Sequence, residues 1–460
     1  MNAFPPLNNL SSGAATMHLQ SKSLVAIYAV LTLGATASAR LTAQEERFTC
    51  QASARGAEHA LTADTRFDAS KTSAAYGFDL AAPPANFTNG ACSSDKPFFF
   101  SMAATDGNYQ VTVDLGGAEA TITTVRAEAR RLFIDELSLA AKQSKTVVFN
   151  VNVRTPVIGG AAKTGEAPVE VRLKPREIGA LDWDNKLTLE FNGEHPAVRS
   201  ITIKRVDDLP TAYLAGDSTM VDQDKEPWAA WGQMLPVFFG PKIIIANDAE
   251  SGETIKSFVG ERRLAKVEST WKSGDYLLVQ FAHNDQKPGS GFVSIPEYKD
   301  LMRRYIADAR AKGVTPILVT SMNRRKFDAD GKIVQTLGDY PQATRDVAAE
   351  QKVGLIDLNA MSKTLFEALG DAGTLKAFVH YPANTFPDQP EELKDDTHFN
   401  SYGAYELARA IVQSIRDQHL PLEKYLHPNI SPFDPAHPLP FADWHLPASP
   451  FVSTTIPYGR

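Results

Sequence analysis

Two short polar segments of this chain combine residue types that can perform nucleophilic catalysis. Gly216-Asp217-Ser218-Thr219 follows the apolar stretch AYLA (212–215), and Asp395-Asp396-Thr397-His398 precedes the last helical stretch. A serine nucleophile needs a base, usually a histidine, and a carboxylate near the histidine Nδ1 orients its ring. We therefore predict Ser218 as nucleophile, His398 as base and Asp395 as orienting carboxylate, with Asp396 capping a helix or facing solvent. Taken singly, Ser218 fits a helix N-cap equally well, and His398 fits a surface histidine.

Two further segments can stabilise an oxyanion. His283-Asn284-Asp285 follows the apolar stretch YLLVQF (276–281), and Gly252 ends a polar segment after KIIIA (242–246). An asparagine amide or an unobstructed glycine N–H can donate to a developing negative charge. Asn and Gly are also common turn residues, so each signal is weak alone. We predict Asn284 and Gly252 as donors because both follow a predicted strand.

The elements that must position these residues form an α/β pattern. From residue 211 short apolar strands alternate with helical stretches, which indicates a parallel sheet covered on both faces. Ligands bind at the carboxyl ends of such strands, where these polar segments lie. Before residue 207 the pattern is strand after strand with no long amphipathic helix, which favours a β-sandwich. The predicted strands are YQVTVDL (109–115), ATITTVRA (120–127), TVVFNVNV (146–153), VEVRL (169–173), KLTLEF (186–191) and SITIKRV (200–206).

The order of the motifs resembles the SGNH (GDSL-type) hydrolases. Gly216-Asp217-Ser218 matches the nucleophile block, Gly252 the second, Asn284-Asp285 the third, and Asp395 with His398 the last. The resemblance implies a three-layer α/β hydrolase fold and an oxyanion hole formed by the Ser218 and Gly252 N–H groups and the Asn284 side chain. Ala282 stands where the third block usually has glycine, and we expect its methyl group to be tolerated if φ is negative.

Within that superfamily the chain is similar to rhamnogalacturonan acetylesterases, which are carbohydrate esterases of pectin. The likeness rests on GDSTM (216–220), WGQML (231–235), FAHND (281–285), RRKFDADGKIVQTLGDYP (324–341) and DDTHFNSYGA (395–404). It implies a serine esterase that removes acetyl groups from plant cell-wall polysaccharide through an acyl-enzyme. The strand-rich region resembles the galactose-binding-like sandwich that precedes some of these esterases. Two alternatives stay open: an esterase, lipase or thioesterase for another acyl substrate, and a non-catalytic carbohydrate-binding protein.

Sugar recognition has five candidate residues, each with a competing structural interpretation. Trp228 and Trp231 can stack on a pyranose ring, but their spacing also fits one buried helix face. Arg324 and Arg325 can pair with a uronate carboxylate or form a solvated surface pair. His283 is interpreted as a pocket or structural residue rather than a catalytic one. The histidines show no H-x-x-x-H or H-E-x-x-H spacing, so we expect no metal and no cofactor.

Composition and the termini complete the sequence-based predictions. A net charge of −7 gives no reason to expect nucleic acid as a partner, and the mature chain is expected to have no stable membrane span.

Residues 24–35 and the Ala37-Ser38-Ala39 site fit a signal peptide, starting from Met1 or Met17, so export to the periplasm or beyond is expected. Export permits a Cys50–Cys92 disulfide, with two free thiols as the alternative. The predicted division is a leader (1–39), a sandwich (46–207), a hydrolase domain (211–418) and a Pro-rich tail (419–460); the oligomeric state stays open.

Overall fold

The fold is taken from a computed structural model, which describes residues 45–159 and 166–457. The predicted leader and signal peptide, residues 1–39, lie outside these described residues. None of the helices in the described ranges has both the length and the apolar character needed to cross a bilayer.

The first part of the described chain is built from strands. They are β1 (Glu45–Thr49), β2 (Glu58–Ala60), β3 (Tyr76–Asp79), β4 (Asn86–Thr88), β5 (Ala91–Ser93), β6 (Phe98–Ala103), β7 (Gly107–Leu115), β8 (Thr121–Ala127), β9 (Arg131–Leu139), β10 (Lys145–Val153), β11 (Lys186–Glu194) and β12 (Ala197–Arg205). One sheet has the order β10-β7-β12-β1-β2, with β5 on β12 and β4 on β5, and the other has the order β3-β6-β11-β8-β9.

These two sheets share one apolar core because their strands alternate in burial. On β7 every second residue is buried, and Val111 and Val113 are fully enclosed. They belong to the same packed cluster as Phe98 and Leu189 of the other sheet. A disulfide joins Cys50, directly after β1, to Cys92 of β5. We call residues 45–205 the β-rich region; its likeness to the galactose-binding-like sandwich stays a prediction.

One predicted strand is wrong. Residues 169–173 form no named strand, and only an isolated bridge joins Val157 to Glu170. Val169 is 54% exposed and Val171 is buried. This alternation does not arise from a half-buried strand, because the segment belongs to no sheet. Instead the backbone N–H of Arg172 donates to the Glu261 carbonyl at 2.9 Å, which places the segment against the following α/β region.

The second part is a five-stranded parallel sheet with the order β14-β13-β15-β16-β17. Its strands are β13 (Thr211–Gly216), β14 (Ile244–Asn247), β15 (Tyr276–Gln280), β16 (Thr315–Val319) and β17 (Gly354–Ile356). A hairpin of β18 (Phe378–Tyr381) and β19 (Leu393–Phe399) lies outside that sheet. The predicted parallel α/β arrangement is confirmed.

Helices cover both faces of the parallel sheet, which explains its uniformly apolar strands. They are α1 (Trp231–Met234), α2 (Ile255–Gly260), α3 (Arg263–Thr270), α4 (Ile295–Ala311), α5 (Tyr340–Gln351), α6 (Leu358–Thr374) and α7 (Ser401–Asp417). On β13, Leu214 packs in the cluster with α1, α6 and α7, whereas Tyr213 packs in the cluster with α2 to α5. The α7 helix begins at an N-cap, where the Asn400 side chain accepts a bond from the Gly403 N–H.

Candidate active site

The Ser218 side chain lies just beyond the carboxyl end of β13, the second strand of the parallel sheet. The chain turns sharply after this strand because the Asp217 carbonyl accepts bonds from the N–H groups of Met220 and Val221 at 3.0 and 3.1 Å. The Asp217 carboxylate also accepts bonds from the N–H and the hydroxyl of Thr219. These contacts fix the peptide group that carries the Ser218 N–H. Among the described residues that N–H has no hydrogen-bond partner.

His398 connects Ser218 to Asp395. Its Nε2 lies 2.9 Å from Ser218 Oγ, and its Nδ1 lies 2.8 Å from Asp395 Oδ2. The other carboxylate oxygen of Asp395 accepts bonds from the N–H groups of Thr397 and His398. Burial alone would raise the pKa of Asp395, but these bonds together with His398 hold it below its usual range. An ionised Asp395 leaves Nδ1 as the protonated nitrogen and Nε2 free to accept the serine proton.

The two remaining predicted donors lie on neighbouring loops. Gly252 has a φ of 81°, a conformation that glycine adopts readily, and its N–H has no hydrogen-bond partner among the described residues. The Asn284 amide donates to the Glu253 carbonyl at 3.0 Å, and its oxygen accepts from Lys287 Nζ at 3.0 Å. This leaves one amide hydrogen of Asn284 for a ligand.

Ala282 does not meet the condition under which its methyl group was expected to be tolerated. Its φ is 152°, not negative. The preceding Phe281 carbonyl accepts bonds from the hydroxyls of Tyr298 at 2.6 Å and Ser321 at 2.9 Å, which hold the connecting peptide in place. A non-glycine residue at positive φ costs on the order of 1–3 kcal/mol. The two hydrogen bonds to the Phe281 carbonyl hold Ala282 in this unfavourable conformation, two residues before Asn284.

The two tryptophans do not form a sugar-binding platform, so this prediction is wrong. Trp231 is fully buried, and its Nε1 donates to Gln280, whose amide donates to the Thr219 hydroxyl. Trp228 is 2% exposed and packs edge-on against the His398 ring, with ring centroids 6.0 Å apart. Both therefore support the site from within the core.

His283 is a buried structural residue rather than a pocket residue. It is fully buried, its Nδ1 lies 3.4 Å from Asp217 Oδ2, and burial lowers its pKa. The neutral imidazole ring of His283 is therefore enclosed in the core next to Asp217, in the turn that carries Ser218.

The adjacent arginines differ in their partners. Arg325 forms ion pairs with Asp371 at 2.6 Å and Asp396 at 3.2 Å, so its charge is already compensated. Half-buried Arg324 donates to the His283 carbonyl at 3.0 Å and the Thr397 hydroxyl at 3.3 Å. No carboxylate of the described residues lies within ion-pair distance of Arg324. Of the two, only Arg324 lacks an ion-pair partner among the described carboxylates, and burial lowers its pKa although Asp217 and Asp395 attract its charge from a longer distance.

Sequence reasoning missed two residues next to the site. Gln223 is buried and donates to the Ser218 carbonyl at 3.1 Å. Lys287 donates to Asn284, and burial together with the Arg324 charge lowers its pKa to about 8. The only local signal is spacing, since Lys287 follows Asn284 by three residues within one turn.

Across residues 45–159 and 166–457, no three His, Cys, Asp or Glu side chains are grouped so as to hold a metal ion.

The chain is similar in sequence to known proteins. Residues 214–405 match the model of the GDSL-like Lipase/Acylhydrolase family. The chain is 40% identical to the Rhamnogalacturonan acetylesterase RhgT of Bacillus subtilis (strain 168) over 216 residues, which cover 46% of this chain and 93% of the relative. It is 34% identical to the Probable rhamnogalacturonan acetylesterase YesY of the same organism, over 46% of this chain and 94% of that one.

A third relative extends further toward the N-terminus. The Uncharacterized esterase YxiM of Bacillus subtilis (strain 168) is 29% identical over 379 residues, which cover 78% of this chain and 87% of the relative. This match is longer than the hydrolase region alone.

Proposed function

Because the chain belongs to the GDSL-like lipase/acylhydrolase family and is a carboxylic ester hydrolase, we propose that it removes acetyl groups from a plant cell-wall polysaccharide, rhamnogalacturonan. The observation that carries the proposal is the continuous hydrogen-bonded chain from Ser218 through His398 to Asp395. The substrate class is supported by relatives that carry the name rhamnogalacturonan acetylesterase.

The proposed mechanism is two-step acyl transfer. Ser218 Oγ attacks the acetyl carbonyl while His398 Nε2 takes the hydroxyl proton. The N–H groups of Ser218 and Gly252 and the free amide hydrogen of Asn284 stabilise the tetrahedral oxyanion. His398 then protonates the departing sugar oxygen. Water, activated by the same histidine, attacks the acetyl-serine and releases acetate.

Arg324 is the proposed contact for an acidic sugar. Rhamnogalacturonan carries uronate carboxylates, and an arginine beside the triad with no carboxylate partner among the described residues can pair with one. The chain's net charge of −7 gives no long-range attraction to an anionic polymer. Recognition of the uronate carboxylates would therefore have to come from the local charges of Arg324 and Lys287.

Export is part of the proposal. The pattern of residues 17–39 supports it, and the Cys50–Cys92 disulfide is suited to an oxidising compartment. A mature chain that begins at Arg40 would support export, and a chain that retains its leader would contradict it.

The function is tested by acetate release from acetylated rhamnogalacturonan, acetylated xylan and p-nitrophenyl acetate. We expect the highest kcat/KM on rhamnogalacturonan among the polymers. Ser218→Ala should lower kcat by roughly 10⁴-fold or more on every substrate, because the triad acts as a unit. A preference for xylan would overturn the substrate assignment, and full activity of Ser218→Ala would overturn the mechanism.

A further inference from the structure

The loop that carries Gly252 is held by side chains of the β-rich region. Lys174 Nζ donates to the Ser251 carbonyl oxygen at 2.6 Å and forms an ion pair with Glu253. Arg176 Nε donates to Glu250 Oε1 at 2.7 Å. The residues on both sides of Gly252 are therefore bound by a segment that lies about 75 residues earlier in the chain.

The bond from Lys174 determines where the Gly252 N–H points. The Ser251 carbonyl and the Gly252 N–H belong to one peptide group, which is planar and trans, so the two point in opposite directions. Glycine at 252 would otherwise permit this peptide to rotate, because it has no side chain to restrict φ. Within the described chain, Lys174 is the only hydrogen-bond donor to the Ser251 carbonyl.

Lys174 is itself held by a rigid set of contacts. Its N–H donates to Glu177 Oε2 at 2.7 Å, and Glu177 accepts two bonds from Arg263 at 2.9 and 2.6 Å. Trp183 Nε1 also donates to Glu177 at 2.9 Å. A bidentate pair buried in this way restricts the backbone from which Lys174 extends.

Ion pairs of the same kind also hold the loop that carries Ser218. Basic side chains of the β-rich region pair with carboxylates of the loops that carry Ser218 and Gly252. The pairs are Arg130 with Glu226, Arg131 with Asp222, Arg154 with Asp248, Lys174 with Glu253 and Arg176 with Glu250. The loops of Ser218 and Gly252 are thus both bound from outside the α/β region.

We propose that Lys174 is a positioning residue of the oxyanion hole, which acts on catalysis by fixing the Ser251–Gly252 peptide. The segment around residues 174–177 then determines part of the geometry of the active site and is not merely a separate accessory region. The inference rests on the proposed acyl-enzyme mechanism. It predicts a defect in kcat and not in KM, because an oxyanion exists only in the transition state and the intermediate.

The test compares Lys174→Met with Lys186→Met in the full chain. Lys186 is a matched control because it belongs to the same region, is buried to a similar degree (16% against 18% side-chain exposure) and forms an ion pair with Asp79 at 2.6 Å. Hydrolysis of p-nitrophenyl acetate is measured per active site titrated with an organophosphonate, so that unfolded protein does not count. Lys174→Met should lower kcat about tenfold with KM within about twofold, less than the 10²–10³-fold loss typical when an oxyanion donor is removed outright.

Rescue distinguishes positioning from general stability. Lys174→Arg should recover most of the lost kcat, because a guanidinium can also donate to the Ser251 carbonyl. Equal losses in Lys174→Met and Lys186→Met, an unchanged kcat in Lys174→Met, or a change in KM alone would overturn the proposal. Failure of the wild type on rhamnogalacturonan would contradict only the substrate assignment, because p-nitrophenyl acetate still reports on the oxyanion hole.

Discussion

At the scale of single residues, Asp285 is a buried carboxyl that the mechanism does not use. Its Oδ1 accepts a bond from the Ile255 N–H at 2.9 Å, at the start of α2, and its Oδ2 has no hydrogen-bond partner among the described residues. Burial raises the pKa of Asp285 to about 8. The side chain is therefore protonated at neutral pH and serves as an uncharged cap.

This pKa predicts a pH dependence of stability. Above about pH 4 the unfolded chain releases the Asp285 proton and the folded chain keeps it, so Asp285 makes stability fall as pH rises to about 8. Asp285→Asn, which keeps an acceptor and carries no charge, should reduce the fall in Tm between pH 5 and pH 8. Asp346→Asn is the control, because that exposed carboxyl has a lowered pKa and is ionised throughout this range. An unchanged slope in Asp285→Asn would contradict the assignment.

At the scale of elements, the Pro-rich tail connects the two regions. Its residues 447–453 run between the β-rich region and the nucleophile loop, and Glu226 exchanges backbone bonds of 2.8 Å with Phe451 and Ser453. Trp228 Nε1 donates to the Ser453 carbonyl at 2.9 Å, so the tail also holds the ring that packs against His398. These residues of the tail therefore pack against the rest of the protein.

Ser449 provides a test of this element. It is buried, and its hydroxyl donates to Glu190 Oε2 at 2.9 Å. Ser449→Ala should lower the free energy of unfolding by about 1–3 kcal/mol, because a buried charged group loses a hydrogen bond. Ser453→Ala should change it by less than about 0.5 kcal/mol, since Ser453 uses its backbone groups for these contacts. Equal effects in chemical denaturation would argue against a specific anchoring role of Ser449.

At the scale of the whole molecule, the described residues 45–159 and 166–457 belong to one compact unit. The contacts between the β-rich region and the catalytic loops are mostly buried ion pairs. Removing one partner of such a pair leaves an uncompensated buried charge, so each pair disfavours arrangements of the two regions in which it is not formed. The disulfide lies within one sheet of the β-rich region and closes a loop of 42 residues.

Removal of the disulfide should destabilise the molecule without altering its chemistry. The double variant Cys50→Ala/Cys92→Ala should lose about 2–4 kcal/mol of stability, because the unfolded chain regains the conformational freedom of that loop. Thermal unfolding measures the loss, and kcat on p-nitrophenyl acetate at 25 °C should stay within about twofold. Mass analysis after alkylation of the unreduced wild type should find no free thiol; two labelled thiols would contradict the bridge.

The sequence by itself was sufficient to predict the order of the catalytic groups along the chain and the parallel sheet that carries them. Ser218, Gly252 and Asn284 lie in the loops that follow β13, β14 and β15, and local apolar patterns predict those three strands. His398 lies on β19, just before α7. The strands of the β-rich region were predicted less completely, because short strands such as β3 and β5 contain too few residues to show alternation.

Only the tertiary structure decided which side chains around the triad are free to act. Arg324 and Arg325 are neighbours of the same type, yet only Arg325 meets carboxylates, at residues 371 and 396. Lys174 reaches the Ser251 carbonyl across 77 positions of sequence, and the positive φ of Ala282 follows from hydroxyls of two distant elements. Local sequence determines periodicity and turn chemistry, whereas burial and charge pairing depend on residues that only folding brings together.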